Sequence, residues 1–330
     1  MVSPDSELMR AHPDWALQIA GRPLLTGRNQ LVLDISRAEV AEHVFHCINA
    51  LLSVHAIGYV KWDHNRDLTT AGLASGRAGY RVQVHAIYAL LARLRAAHPK
   101  VEIESCSGGG GRIDFAVLRH THRAWTSDTI DALSRLAIQR GFLQFFPPEI
   151  MGAHVGTAPA HTSGRAQTMA FRAAVALPGH LGVELDVRQL GDAERRELTG
   201  WIAVYKAWRA RLHGARVWLG EGGDGLMWQA HGDERAEDVL LLVYRPSPSN
   251  HRYAPALRLP MLDASARYCV RQVLPEGTPR PTGRHHTSPF FDAINDAEGF
   301  AVDGAWLTQA GLPMPRVNAE TAFIVHLQKL

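Results

Sequence analysis

The chain has 330 residues, 46% of them hydrophobic and 20% charged, and 35 basic against 32 acidic side chains leave a formal net charge of +3. This is enough for one large domain and a smaller one with an ordinary core, and charges mixed along the chain with no basic block exclude nucleic acid as an expected partner. Three scattered cysteines, Cys47, Cys106 and Cys269, fit a reducing compartment, and the absence of a signal-like apolar core or a bilayer-length run places the expected protein in the cytoplasm, away from membranes.

From about residue 31, short β-rich runs alternate with amphipathic helices. Residues 31–35 form an apolar run interrupted by Asp34, and Val40, Val44, Ile48 and Leu52 then recur at helical spacing. A second strand is expected at 57–62, then a helix with Val84, Ile87, Tyr88, Leu91 and Leu94 on one face. Further strands are expected at 101–106, 124–127, 149–155 and 181–187, before a helix bearing Leu198, Trp201, Ile202, Tyr205, Trp208 and Leu212. Six strands separated by helices imply βαβ units and a parallel sheet. Polar residues gather where the strands end, as in Lys61-Trp62-Asp63, Glu104-Ser105-Cys106 and Ser127-Asp128. A parallel barrel and a doubly wound sheet both place ligands at such ends, so the pattern alone leaves the two open.

After about Gly214 the texture changes to short strands at 217–219, 226–229, 239–244, 256–259, 268–273 and 323–327, separated by Gly and Pro turns. This reads as a small antiparallel β domain over 215–330, following a catalytic domain over 1–214. The stretch 272–289 reads as a mobile loop.

Three segments carry chemistry. Lys61-Trp62-Asp63-His64-Asn65-Arg66-Asp67 ends a strand in a charged and aromatic cluster; on spacing alone it reads as well as a helix N-cap or a solvated strand end. Glu104-Ser105-Cys106-Ser107 runs into four glycines, Gly108 to Gly111, and Arg112. Such a run lets backbone approach a ligand, or simply turns; the Gly-Lys-Ser/Thr ending of a phosphate loop is missing. Trp125-Thr126-Ser127-Asp128-Thr129-Ile130-Asp131-Ala132 puts one carboxylate at a strand end and another, Asp131, where a helix dipole favours it. Asp63 and Asp128, on the rims of different strands, are the equipment of a glycosidase: one attacks the anomeric carbon and the other protonates the leaving oxygen.

These three segments resemble the signatures of bacterial α-galactosidases of the melibiase type, glycoside hydrolase family thirty-six. The resemblance extends from Pro4-Asp5-Ser6 through Gly27-Arg28-Asn29-Gln30 and Met151-Gly152-Ala153-His154-Val155-Gly156 to the final β domain. It implies an incomplete (β/α)8 TIM barrel, about six of eight strands, followed by the antiparallel domain. It implies Asp63 as nucleophile and Asp128 as acid/base of a retaining reaction that removes terminal α-linked galactose from oligosaccharides. Arg28, Lys61, Asn65, Cys106 and Gly108 match positions lining the galactose pocket. Lys61 and Arg28 would donate to sugar hydroxyls and keep Asp63 ionised by opposite charge. Trp62 and Trp125 read chiefly as buried packing.

His64 stands where the family usually has methionine, and Ile130 where threonine is usual. Family members are about twice this length. Their upstream part holds a β-sandwich and two further strand–helix units, whose strand ends carry an aspartate pair for the sugar's 4- and 6-hydroxyls and a tryptophan. Met1 is therefore expected to be internal to a longer gene, or the start of a truncated one. An impaired fragment, an α-N-acetylgalactosaminidase and a transglycosylase remain as alternatives. No cofactor or metal is expected: His120 with His122, His154 with His161, and His285-His286 lack zinc spacing, and Cys106 has no evident histidine base. A homo-oligomer is implied for full-length relatives.

Overall fold

The computed structural model describes residues 1–73, 75–249, 251, 255–275, 289–296, 298–315 and 317–330. The chain forms two compact units, Met1–Asp128 and Thr129–Leu330.

The first unit contains α1 (Glu7–Ala11), α2 (Ala38–Val54), β1 (Tyr59–Trp62), α3 (Tyr80–Ala97), β2 (Glu102–Ser105) and β3 (Arg123–Trp125). The three strands are parallel neighbours in the order β1-β2-β3, with Lys61 opposite Glu104 and Glu104 opposite Arg123. Side chains alternate across a strand, so the two faces of this sheet differ. Trp62 and Ile103 pack with Leu91 and Ile87 of α3; the opposite face carries Lys61, Glu104 and Arg123 in one row.

Residues 31–35, expected as a parallel strand, instead make two isolated antiparallel bridges, Val2 with Leu31 and Ala16 with Leu33. Their backbone groups are consumed by the N-terminal segment: Leu17 N donates to Val32 O and Asp34 N to Trp15 O, both at 2.8 Å. Asp34 then turns the chain by accepting from Ser36 N at 3.1 Å. Among the described residues five parallel strands are thus present rather than six.

The second unit opens with α4 (Ala132–Leu143), β4 (Met151–Gly156), α5 (Met169–Ala176), β5 (His180–Glu184) and α6 (Asp192–Leu212). β4 and β5 pair in parallel from Gly152–His180 to Gly156–Glu184. Then come β6 (Arg216–Glu221), β7 (Met227–Gly232), β8 (Asp238–Arg245), β9 (Arg267–Gln272), α7 (Pro289–Ala293), β10 (Phe300–Asp303) and β11 (Thr321–Lys329). These six strands form one antiparallel sheet in the order β10-β9-β11-β8-β7-β6.

The continuous apolar run of β8 is explained by its two covered faces. Leu241 and Val243 enter a core with Val270 and Val325, whereas Leu240, Leu242 and Tyr244 pack against Phe171 of α5 and Trp201 of α6. That shared core keeps α4–α6 in the same unit as the antiparallel sheet, although α6 ends at Leu212 and the antiparallel strands begin only at Arg216. Among the described residues, 256–259 make one isolated bridge, Leu257 with Leu312, rather than a strand, and β10 was not legible in the sequence. Most of the expected loop at 272–289, with His285-His286, lies outside the described residues. No helix among the described residues is long and apolar enough to cross a membrane.

His231 on β7 is fully buried and bonded at both ring nitrogens, to Leu212 O at 3.1 Å and to the Gln229 amide at 3.3 Å. Burial pushes its pKa down from 6.5 to about 4. The unfolded chain therefore binds a proton that the native state refuses, and stability falls as pH drops from about 6.5 to about 4. The loss attributable to this group approaches about 3 kcal/mol. Denaturant melts at pH 7 and pH 4 should show a His231→Gln variant losing less stability over this interval than the parent; parallel losses would contradict the assignment.

Candidate active site

The polar face of the β1-β2-β3 sheet builds the site in two rows. In the lower row Lys61 Nζ lies 4.0 Å from a carboxylate oxygen of buried Glu104, whose other oxygen accepts from the Tyr59 hydroxyl. Burial and then this bond push the Tyr59 phenol well above its usual range. Lys61 Nζ also lies 4.8 Å from the centre of the Trp125 ring. One step further along each strand, the same alternation places Asp63, Cys106 and Trp125 in the upper row.

Asp63 is exposed, and its Oδ2 accepts from Asn65 Nδ2 at 2.6 Å. The other end of the Asn65 amide accepts from Gly108 N at 2.8 Å, so its orientation is set from both sides. Cys106 is buried beside Asp63. Burial pushes its thiol up to about 11, partly opposed by a Gly109 backbone hydrogen bond and the Lys61 charge and aided by a hydrogen bond to Asp63, so it remains a neutral donor near neutral pH.

The glycine run is a tight turn: Ser107 N donates to Gly109 O at 2.9 Å and Gly111 N to Ser107 O at 3.1 Å. Gly109 has φ +81°, and a Cβ there would stand 2.7 Å from Ser127 Cα and 2.8 Å from Asp128 N. Only glycine lets this loop lie against the backbone that carries Asp128. Arg112 locks the loop from the other side, donating through Nη2 to Trp62 O at 2.9 Å and to Cys106 O at 3.0 Å.

Asp128 is exposed at the end of the segment after β3, and its Oδ1 accepts from Trp125 Nε1 at 3.1 Å. Trp125 is thus buried packing, as expected, and also a hydrogen-bond donor to Asp128. Arg28 sits at φ +53° in the tight turn between Gly27 and Gln30. Arg66 pins that turn beside the Asp63 segment by donating to Leu25 O. The Arg28 guanidinium itself makes no hydrogen bond or ion pair among the described residues, and Lys61 faces Glu104. Neither ion-pairs with Asp63, whose side-chain partners are the neutral Asn65 and Cys106. Asp131 is the N-cap of α4, accepting from Ser134 N at 3.0 Å. Burial raises its pKa, but bonds from Ser163 and Arg165 outweigh that and hold it below the usual carboxylate value.

Sequence reasoning missed the Tyr59–Glu104 pair, the Arg112 clamp and the Trp125–Asp128 bond. The parallel register, once known, brings the first together; nothing in the sequence pointed to the other two. No group of three or more metal-ligating side chains occurs among the described residues.

The Melibiase family model matches residues 1–214. The chain belongs to the melibiase family. Among curated melibiase relatives, the α-galactosidase of Escherichia coli is 38% identical over 331 residues, spanning 100% of this chain and 46% of its own. α-Galactosidase AgaA of Geobacillus stearothermophilus is 36% identical over 277 residues, spanning 81% of this chain and 38% of its own. A crystal structure of AgaA, a glycoside hydrolase family 36 enzyme, in complex with raffinose is similar to this chain with a TM-score of 0.86 at 31% identity, covering 100% of this chain and 43% of that one. An AgaA complex with stachyose gives the same TM-score at 30% identity and the same coverage. The five parallel strands with their helices are therefore part of a TIM barrel, followed by the antiparallel sheet. This melibiase chain spans less than half the length of those relatives.

Proposed function

We propose that this chain carries the catalytic carboxylates of a retaining α-galactosidase, with Asp63 as nucleophile and Asp128 as general acid/base. The observation that carries the reading is that both carboxylates stand beyond the C-terminal ends of strands one apart in a parallel sheet, each seated by its own donor. Two strand spacings amount to about 9.5 Å. Less the reach of two aspartate side chains, this is compatible with the roughly 5–5.5 Å separation of a retaining pair.

In the first step an Asp63 oxygen bonds to the anomeric carbon from the face opposite the aglycone. The glycosidic C–O bond breaks as Asp128 gives its proton to the departing oxygen. In the second, Asp128, now a carboxylate, takes a proton from water, whose oxygen attacks the same carbon and releases Asp63. Two inversions leave the configuration retained. Asn65 and the Cys106 thiol donate to Asp63 without neutralising it, and so orient the attacking oxygen. The open face of Gly108, where an added Cβ would meet nothing within 4 Å, leaves room for the sugar ring. Lys61 and Arg28 donate to its hydroxyls. The substrates are oligosaccharides with a terminal α-linked galactose, of the raffinose and stachyose kind held by the relatives.

Asp128→Ala separates the roles. Protonation matters little when the leaving oxygen departs easily, so the variant should retain most turnover of aryl galactosides with acidic phenols. It should lose about 10²–10⁴-fold on raffinose. Equal losses on both substrates, measured as kcat/KM, would contradict the acid/base role.

A further inference from the structure

Next to the proposed nucleophile lies a cavity of about 440 Å³, within the first unit. It is bounded by His64, by the segment that follows it and by α3. Its lining is mixed in chemistry. Leu68, Val84, Ile87 and Ile113 supply apolar lining, and Arg66, Asp67, Arg112 and Asp114 charged lining.

The formal charges of those four cancel. Burial, and then the charge of Arg112, push His64 below its ordinary value, so it adds no charge at neutral pH. Asp114 is already engaged, by Tyr88 at 2.7 Å and by the backbone N–H groups of Ala116 and Val117 at 2.7 and 2.8 Å. Two of the four remain open. The exposed Asp67 carboxylate has no partner among the described residues, whereas Arg66 is spent on Leu25 O and Asp67 O. Arg112 commits Nη2 and Nε to Trp62, Cys106 and Ser105 but leaves Nη1.

We propose that this cavity, which neither Asp63 nor Asp128 lines, is a binding site for a neutral sugar of about monosaccharide size. A free carboxylate beside guanidinium donors matches neighbouring hydroxyls, which accept from one and donate to the other. The apolar side chains take the C–H groups of the ring. Charge balance gives the site no means of holding an anion in preference to a neutral ligand, and its volume falls within the range of small-molecule pockets. The inference stands on the cavity itself and not on the roles given to Asp63 and Asp128. An occupant would touch the segment that seats both of the proposed galactose-binding loops, because His64 N donates to Cys106 O and Ser107 Oγ to His64 O.

The test is methyl NMR of the 330-residue chain titrated with galactose to about 50 mM, a range set by millimolar affinity. The methyls of Leu68, Val84, Ile87 and Ile113 should shift saturably, and should still do so in Asp63→Asn. Asp67→Ala, at an exposed position, should weaken the effect about tenfold, and Val84→Trp, which fills the cavity, should abolish it. Unmoved methyls, an unchanged affinity in Asp67→Ala, or shifts that vanish with Asp63→Asn would overturn the proposal. So would inorganic phosphate acting at lower concentration than galactose.

Discussion

Asp63→Gly, made in a chain that turns over α-galactosides, should lower kcat by at least about four powers of ten, because without a nucleophile the covalent step has no partner. Glycine leaves a gap at the face from which Asp63 would attack. Added azide should enter it and bond to the anomeric carbon, restoring consumption of an aryl α-galactoside and yielding a galactosyl azide of inverted, β configuration. The product is read by NMR. A residual rate that azide leaves unchanged, or an azide product of α configuration, would mean that another group attacks. Because Asn65 and Cys106 reach Asp63 from neutral groups, the loss should not be mimicked by removing a nearby cation.

The second large effect concerns the part of the relatives that this chain does not span. The 330 residues alone should show kcat/KM on an aryl α-galactoside lower by several powers of ten than the same residues joined to the upstream region of a relative. Two physical causes act together. The family resemblance places an aspartate pair that holds the sugar's hydroxyls upstream; losing two or three charge-assisted hydrogen bonds at about 1.5–3 kcal/mol each costs about 10²-fold to 10⁶-fold. The strands themselves are also incomplete. Among the described residues β1 pairs only with β2, and β5 only with β4. Near these edges Leu51 and Val54 of α2 are 55% and 77% exposed, and Tyr59, Val183 and Val187 are exposed as well. Unpaired strands with apolar flanks invite association with other chains. Equal kcat/KM and equally cooperative melts for the two forms would show that the 330 residues are self-sufficient.

Much of the fold was legible because local pattern and burial agree. The 57–62, 101–106 and 124–127 runs became β1, β2 and β3, and the helical stripe through Leu91 and Leu94 became α3. The failures have a common origin in partners that a sequence does not display. Residues 31–35 have strand composition, but their hydrogen bonds go to residues 2 and 15–17. Residues 256–259 likewise meet a single bridge partner among the described residues. β10 was missed because a four-residue strand without clear alternation carries little signal before its neighbour β9 is known.

The site divides in the same way. Asp63 and Asp128 could be picked out because two carboxylates at the ends of different strands suggest a facing pair and the motifs around them resemble those of the family. That Asn65 spans Asp63 and Gly108, that Trp125 donates to Asp128, and that Lys61 turns to Glu104 rather than to Asp63 depend on register and on the glycine turn. The expectation that Lys61 and Arg28 help to keep Asp63 ionised came from the family resemblance, and among the described residues neither makes an ion pair with Asp63. Alternation along β1 does place Lys61 and Asp63 on one face, but the opposing Glu104 is the closer anion.

The most direct measurement of the central claim is to trap the intermediate. The chain joined to its relatives' upstream region is incubated with a fluorinated α-galactoside bearing a good leaving group, chosen so that the covalent sugar forms faster than water removes it. Peptide mapping by mass spectrometry then locates the adduct. A single galactosyl ester on Asp63, absent from Asp63→Gly and still formed by Asp128→Ala when the leaving group is good, is the predicted result. An adduct on Asp128 or elsewhere, or steady turnover with no adduct at all, would contradict it.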